Sequence, residues 1–148
     1  AVVAELEGMC ARLASRRARQ EDLPAIRAAH EACRAAAYGL DVDAYDHCNE
    51  AFHAVIREAA RNGFLIEQTD ALQRRLRPYR RLQLMAGNRV AVSFAEHEAI
   101  VAAIVAGDPD RAGAAMRDHV AVKGERFADL MSALGGSGAD LRGGEPER

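Results

Sequence analysis

An all-α fold, an antiparallel bundle of about six helices, follows from three observations on the sequence. Apolar residues recur at three- and four-residue spacing along most of the chain, Gly, Pro and Asn-Gly stops punctuate the runs, and no segment alternates β-branched residues as a half-buried strand does. The chain has 148 residues, 49% of them hydrophobic, which suits one domain with a real core.

Residues 2 to 18 read as a first amphipathic helix, with Leu6, Met9, Leu13 and Arg17 along one side. Glu21-Asp22 opens a second, because acids favour the positive end of the helix dipole and Pro24 suits a first turn. It runs to about Ala37, and Gly39 ends it. A third starts near Asp41 and carries Tyr45, Asn49, Phe52, His53, Ile56 and Ala60 on one face, with Asn62-Gly63 as its stop. The fourth, from about Phe64 to Met85, holds the arginine cluster Arg74, Arg75, Arg77, Arg80 and Arg81. Pro78 inside it removes one ladder hydrogen bond and predicts a kink near Arg74 to Arg77. Gly87-Asn88 closes it. Two last helices flank Gly107-Asp108-Pro109, which supplies a C-terminal stop, an N-cap and an N1 proline, and the second runs to about Leu134. From Gly135 to Arg148 the composition turns to Gly, Ser, Asp, Glu and Pro, so the domain is expected over 1–134 with a flexible tail over 135–148.

Composition narrows the function. A net charge of −2 and an estimated pI of 6.2 argue against this domain gripping a phosphate backbone itself. Cys10, Cys33 and Cys48 are odd in number and lack C-x-x-C spacing, so neither a disulfide framework nor a zinc knuckle is indicated. No apolar run reaches the roughly 18 residues of a membrane span and no signal peptide opens the chain, so a cytoplasmic protein without membrane contact is expected. The chain opens on Ala1 rather than methionine, which hints at truncation.

The histidines carry the chemistry. His97 falls in the row Val90, Phe94, His97, Val101, Ile104, and His119 in the row Ala112, Ala115 or Met116, His119, Val122. Each lies ten residues from its side of the Gly107 to Pro109 turn, roughly 15 Å at helical rise, so in a hairpin the two imidazoles stand at one height. Asn49 and His53 are four apart and share a helical face. Buried and unpaired, each polar group costs on the order of 1–3 kcal/mol, so the four need partners. Three imidazole nitrogens and an amide oxygen suit zinc, nickel, copper, iron or manganese better than calcium. The plainer alternative is that each is a core histidine bonded to a carbonyl. His30 and His47 lack a paired ligand at helical spacing and read as surface residues. The arginine run reads either as a solvated face or, through Arg77 and Arg81 four apart, as a carboxylate-attracting side.

Enzyme motifs are incomplete. His97-Glu98-Ala99-Ile100-Val101 has valine where H-E-x-x-H needs its second histidine, and Glu50-Ala51-Phe52-His53 is a single E-x-x-H where di-iron bundles use two. No nucleophile stands beside a base and no phosphate loop occurs, so no catalysis is expected. The rival is a mononuclear metal enzyme in which Glu50 or Glu98 acts as base.

The pattern Tyr45-Asp46-His47-Cys48-Asn49-Glu50-Ala51-Phe52-His53, then Glu96-His97-Glu98-Ala99-Ile100 with Ala103-Ile104 and Gly107-Asp108, then Ala112, Met116 and His119-Val120, resembles the FCD effector-binding domain of FadR-like GntR-family transcription regulators. Glu5-Leu6-Glu7-Gly8 with Ala11-Arg12-Leu13-Ala14 is similar to that family's first domain helix, and the likeness covers about residues 1 to 130. It implies a helical bundle holding a divalent metal, zinc first, with nickel, manganese or iron as alternatives, through Asn49, His53, His97 and His119. The family's usual first ligand is aspartate, so Asn49 removes a charge. The resemblance further implies a small carboxylate effector reaching the metal, with Arg77, Arg81 and Ser93 as the arginine and polar groups beside it, and a homodimer. Relatives carry an N-terminal winged helix-turn-helix that contacts DNA, and nothing here resembles one. The chain is then the C-terminal part of a regulator or a solitary effector domain. Some relatives offer a third reading, an apolar-ligand pocket without metal.

Overall fold

The computed structural model describes residues 2–121. Within them run seven helical segments and no strand: α1 (Val2–Arg17), α2 (Asp22–Ala32), α3 (Arg34–Tyr38), α4 (Val42–Ala59), α5 (Gly63–Leu84), α6 (Arg89–Val105) and α7 (Pro109–Val120). The last helix, expected to run to Leu134, ends instead at Val120, where Ala121 takes extended backbone (φ −61°, ψ 123°), and the expected tail from Gly135 lies outside the described residues.

The single second helix expected from the sequence is two, α2 and α3, broken at Cys33. There the Cys33 N–H bonds to His30 O at 3.0 Å, three residues back, and its thiol donates to Ala29 O, so a side chain takes the carbonyl that the ladder would use. Gly39 is not the left-handed stop. Leu40 takes φ +53°, with Asp41 N–H reaching Ala36 O at 3.0 Å and Leu40 N–H reaching Ala37 O at 3.3 Å, a Schellman turn on a non-glycine residue. Likewise Arg61 (φ +49°) ends α4, while Asn62 caps α5 by accepting from Leu65 N–H. The Gly107 turn forms as the sequence predicts: Gly107 sits at φ +66°, Asp108 N–H reaches Ala103 O, and the Asp108 carboxylate caps α7 at Arg111 N–H. Helix α5 continues through Pro78.

Helix α1 lies mainly along α7 and also touches α4, α5 and α6, while α2 rests on α4 and α6. Tyr45, Phe52, Ile56, Ile26, Ile100, Ile104 and Met116 fill the centre of the bundle. The buried side of α1 is not the Leu6–Met9–Leu13 row. It is Ala4, Glu7, Gly8, Ala11 and Ala14, with Met9 exposed. Small residues let α1 approach α7 closely: a Cβ on Gly8 would stand 3.0 Å from Gly113 O and 2.4 Å from Arg117 Cγ. On α6 the inward row is Val90, Ser93, Phe94, His97, Ile100 and Ile104, with Ile100 rather than Val101 fully buried. No described helix is long and apolar enough to cross a membrane.

Candidate functional site

Three buried imidazoles meet between α4, α6 and α7. His53 follows Phe52 on the inner face of α4, His97 lies mid-way along α6, and His119 closes the last turn of α7. The matched heights of the hairpin bring the rings together: His97 Nε2 lies 3.1 Å from His119 Nε2, and His53 Nε2 lies 3.2 Å from the same atom. One ligand atom from each falls within 4.8 Å of the other two. Phe52 stacks on His97 at 4.1 Å between centroids, with Tyr45 on the same ring at 6.1 Å, so His97 is held between aromatic rings.

The protons do not add up for hydrogen bonding alone. His119 Nδ1 lies 2.7 Å from Glu96 Oε2. Burial acts to raise the Glu96 carboxyl, yet His119 and Arg89 beside it hold it down to about 2, so it is an ionised acceptor and Nδ1 carries the proton. The neutral His119 ring then offers one lone pair, at Nε2, to two neighbouring nitrogens. Burial, the other imidazoles and Arg89 push His97 well below the ordinary range, and burial brings His119 to about 4 despite Glu96. His97 and His119 are therefore neutral at neutral pH. His97 Nδ1 and His53 Nδ1 are buried without a hydrogen-bond partner.

The two spacings to His119 Nε2, 3.1 and 3.2 Å, are those of imidazole nitrogens around a transition metal. Bonds of about 2.1 Å at angles between octahedral and tetrahedral separate ligand nitrogens by about 3.0–3.4 Å. Asn49 lies one turn before His53 on α4, and its Oδ1 is a buried acceptor with no partner.

Around the rings stands a shell that sequence reasoning missed. Arg89 donates to Glu96 at 2.7 Å and to His119 O at 3.1 Å, pinning the end of α7 to α6. Glu7 of α1 is fully buried, with Arg57 Nη1 donating to its Oε1 at 2.9 Å and the Gln73 amide donating to the same oxygen. Burial acts to raise Glu7, but His53, Arg57 and Gln73 hold it down to about 2. Arg57 also faces Glu50 at 2.8 Å and Asp70 at 2.7 Å, and Arg80 donates to Gln73. The one signal for Glu7 was its place in a row of alanines and glycine, where an acid would otherwise be out of place.

Of the expected effector residues, Arg77 is exposed and borders a cleft of about 230 Å³ between α4 and α5, with Glu50, Arg57, Asp70, Gln73 and Arg74. Arg81 is exposed and pairs with Asp43 and Asp46. Ser93 is buried and accepts from Tyr45 Oη at 2.7 Å. The arginines that turn inward are Arg57, Arg80 and Arg89. His47 is exposed as expected, but His30 is buried, stacked on Phe94 at 4.5 Å, because α2 lies against α4 and α6.

The family model described as "FCD domain" matches residues 1–122. Among solved structures, E. coli McbR/YncC matches with a TM-score of 0.71 and 18% identity over 92% of this chain. The chain spans 65% of the length of that protein, and at such identity the likeness is one of fold. No curated protein sequence matches this one.

Proposed function

The chain belongs to the FCD domain family, and from that premise we propose that it is the effector-sensing domain of a GntR/FadR-type transcription regulator, binding a divalent transition metal and a small carboxylate. His53, His97 and His119 would hold the ion with Asn49 as the oxygen donor, and the metal when bound would supply a Lewis-acidic seat for the carboxylate. Zinc is the first candidate, with nickel, manganese and iron as alternatives. One observation carries the reading: three buried Nε2 atoms converge, with a carboxylate fixing the proton of one ring on its far nitrogen. The effector contacts in this reading are Arg77, Arg81 and Ser93. Arg77 borders the cleft, while Arg81 and Ser93 would exchange their present partners, Asp43 and Tyr45, for the ligand.

The domain itself is assigned no catalysis. An anion bound beside residues that hold the ion would tie α4 to the α6–α7 hairpin, and its differential affinity for two arrangements would bias a homodimer and the DNA-binding domains attached to it, in a cytoplasmic regulator. The test is a thermal-shift screen of small carboxylic acids with and without added zinc. A carboxylate whose stabilisation requires the metal is the expected result. Turnover of the acid in proportion to metal content would replace the sensor by an enzyme. Stabilisation only by apolar ligands, with no stoichiometric ion, would replace it by a metal-free pocket.

A further inference from the structure

Two buried orphan atoms face one another on the side of His53 away from the imidazole cluster. Glu7 Oε2 has no hydrogen-bond donor, His53 Nδ1 has no partner, and they stand 3.7 Å apart, too far for a bond as they are. The other Glu7 oxygen is fixed by Arg57 and Gln73, so Oε2 cannot turn elsewhere for a donor. An ionised carboxylate only accepts, and a buried acceptor left unpaired costs on the order of 1–3 kcal/mol.

The ring of His53 has one proton to place when neutral. On Nε2 it would point at His119, leaving Nδ1 and Glu7 Oε2 as two facing lone pairs. On Nδ1 it satisfies the carboxylate after a closure of about half an ångström and leaves Nε2 bare toward His97 and His119; the ionised Glu7 oxygen is the stronger acceptor than the neutral His119 Nε2 that competes for the same proton. We propose that Glu7 is a positioning residue that sets the ring proton of His53 on Nδ1 and thereby makes Nε2 a ligand, placing control of the centre partly in α1, a helix that supplies none of the three imidazoles. The arrangement repeats, on a different element, what Glu96 does for His119. It rests on the metal-binding reading only for its consequence, since the proton's position is a property of the metal-free protein too.

Glu7→Gln separates positioning from packing, because it keeps the shape and changes the hydrogen-bond sense. Its oxygen is claimed by Arg57 and Gln73, so its amide N–H₂ faces His53 Nδ1 and drives the ring proton to Nε2. In the whole chain near neutral pH, long-range proton–nitrogen correlation spectra of the histidine rings should show His53 as the Nδ1–H tautomer in the parent protein and the Nε2–H tautomer in E7Q. Zinc affinity, read by competition with a chromophoric chelator, should fall 10–100-fold in E7Q. An Nε2–H ring in the parent protein, or E7Q binding zinc within twofold of it, would overturn the proposal. If E7Q fails to fold, the tautomer of the parent protein decides alone. If the parent protein binds no zinc while the tautomer switches as described, the metal reading fails and the role of Glu7 stands.

Discussion

Burial of the imidazole cluster fixes how the domain responds to acid, because a proton taken up there must enter a desolvated site. His119 takes up its proton near 6.5 in the unfolded chain but only near about 4 in the folded one. Between those values the unfolded state binds the extra proton, so the stability contributed is fully present above 6.5 and is lost as pH falls toward 4. A gap of that size is worth about 3 kcal/mol, and His97 shifts in the same direction. Glu7 and Glu96 act lower: both are held near 2, so their contribution stands above about 4.5 and is lost as pH falls toward 2. Urea melts of metal-stripped protein between pH 7.5 and 5 should record falling stability, and a flat profile would contradict the neutral, buried rings. Asn49 invites a second experiment. Its orphaned oxygen keeps a donor but no charge, so Asn49→Asp should bind zinc at least about tenfold tighter by competition titration, a difference of about 1.4 kcal/mol. Unchanged affinity would take Asn49 out of the ligand set. At this scale His97 and His119 were legible because their spacing about the Gly107 turn is a helical count, and His53 because it shares a helical face with Asn49 four residues before it. Glu7, Arg57 and Glu96 were not, because a charged residue looks solvated until a partner from another helix is placed beside it.

Helices locate these side chains, and two local features set how well they do so. Leu40 holds a left-handed conformation that costs an L-residue about 1–2 kcal/mol, and its side chain is 64% exposed, so little packing is lost on removing it. Leu40→Gly should relieve that cost, less the extra freedom glycine gives the unfolded chain, for a net gain of about 0.5–1 kcal/mol in chemical denaturation. A loss would mean that Leu40 contributes contacts its exposure hides. Gly8 is the opposite case. Gly8→Ala drives a methyl into Arg117 Cγ and against the Gly113 carbonyl, forcing α1 from α7 at a cost of about 1–3 kcal/mol. Because α7 carries His119 and α1 carries Glu7, weaker zinc binding should accompany the lower stability, and Gly8→Ala with both unchanged would show that the two helices yield without disturbing the centre. Element boundaries set by Asp108, Asn62 and Gly107 could be read from residue type. The break at Cys33 and the left-handed Leu40 could not, since they arise from a thiol competing for a carbonyl and from the tight return of the chain into α4.

Across the whole molecule, the centre joins three helices of the bundle, and its shell adds α1 through Glu7 and α5 through Gln73 and Arg80. An ion bound there adds its binding free energy to folding, because the unfolded chain scatters the ligands over 66 residues between His53 and His119. At a free zinc concentration a thousandfold above the dissociation constant, the linkage is about 4 kcal/mol. For a chain of this size each kcal/mol moves the melting temperature by about 2–4 °C, so zinc should raise it by about 8–16 °C near neutral pH. Chelator should reverse the rise completely. The increment should shrink as pH drops below about 6.5, since protons then displace the ion from neutral nitrogens. Calorimetry at two pH values with and without zinc reads all three effects at once. An increment that persisted undiminished at pH 5 would place the ion on carboxylates elsewhere on the surface, while no increment at neutral pH would leave the three imidazoles as packing between helices.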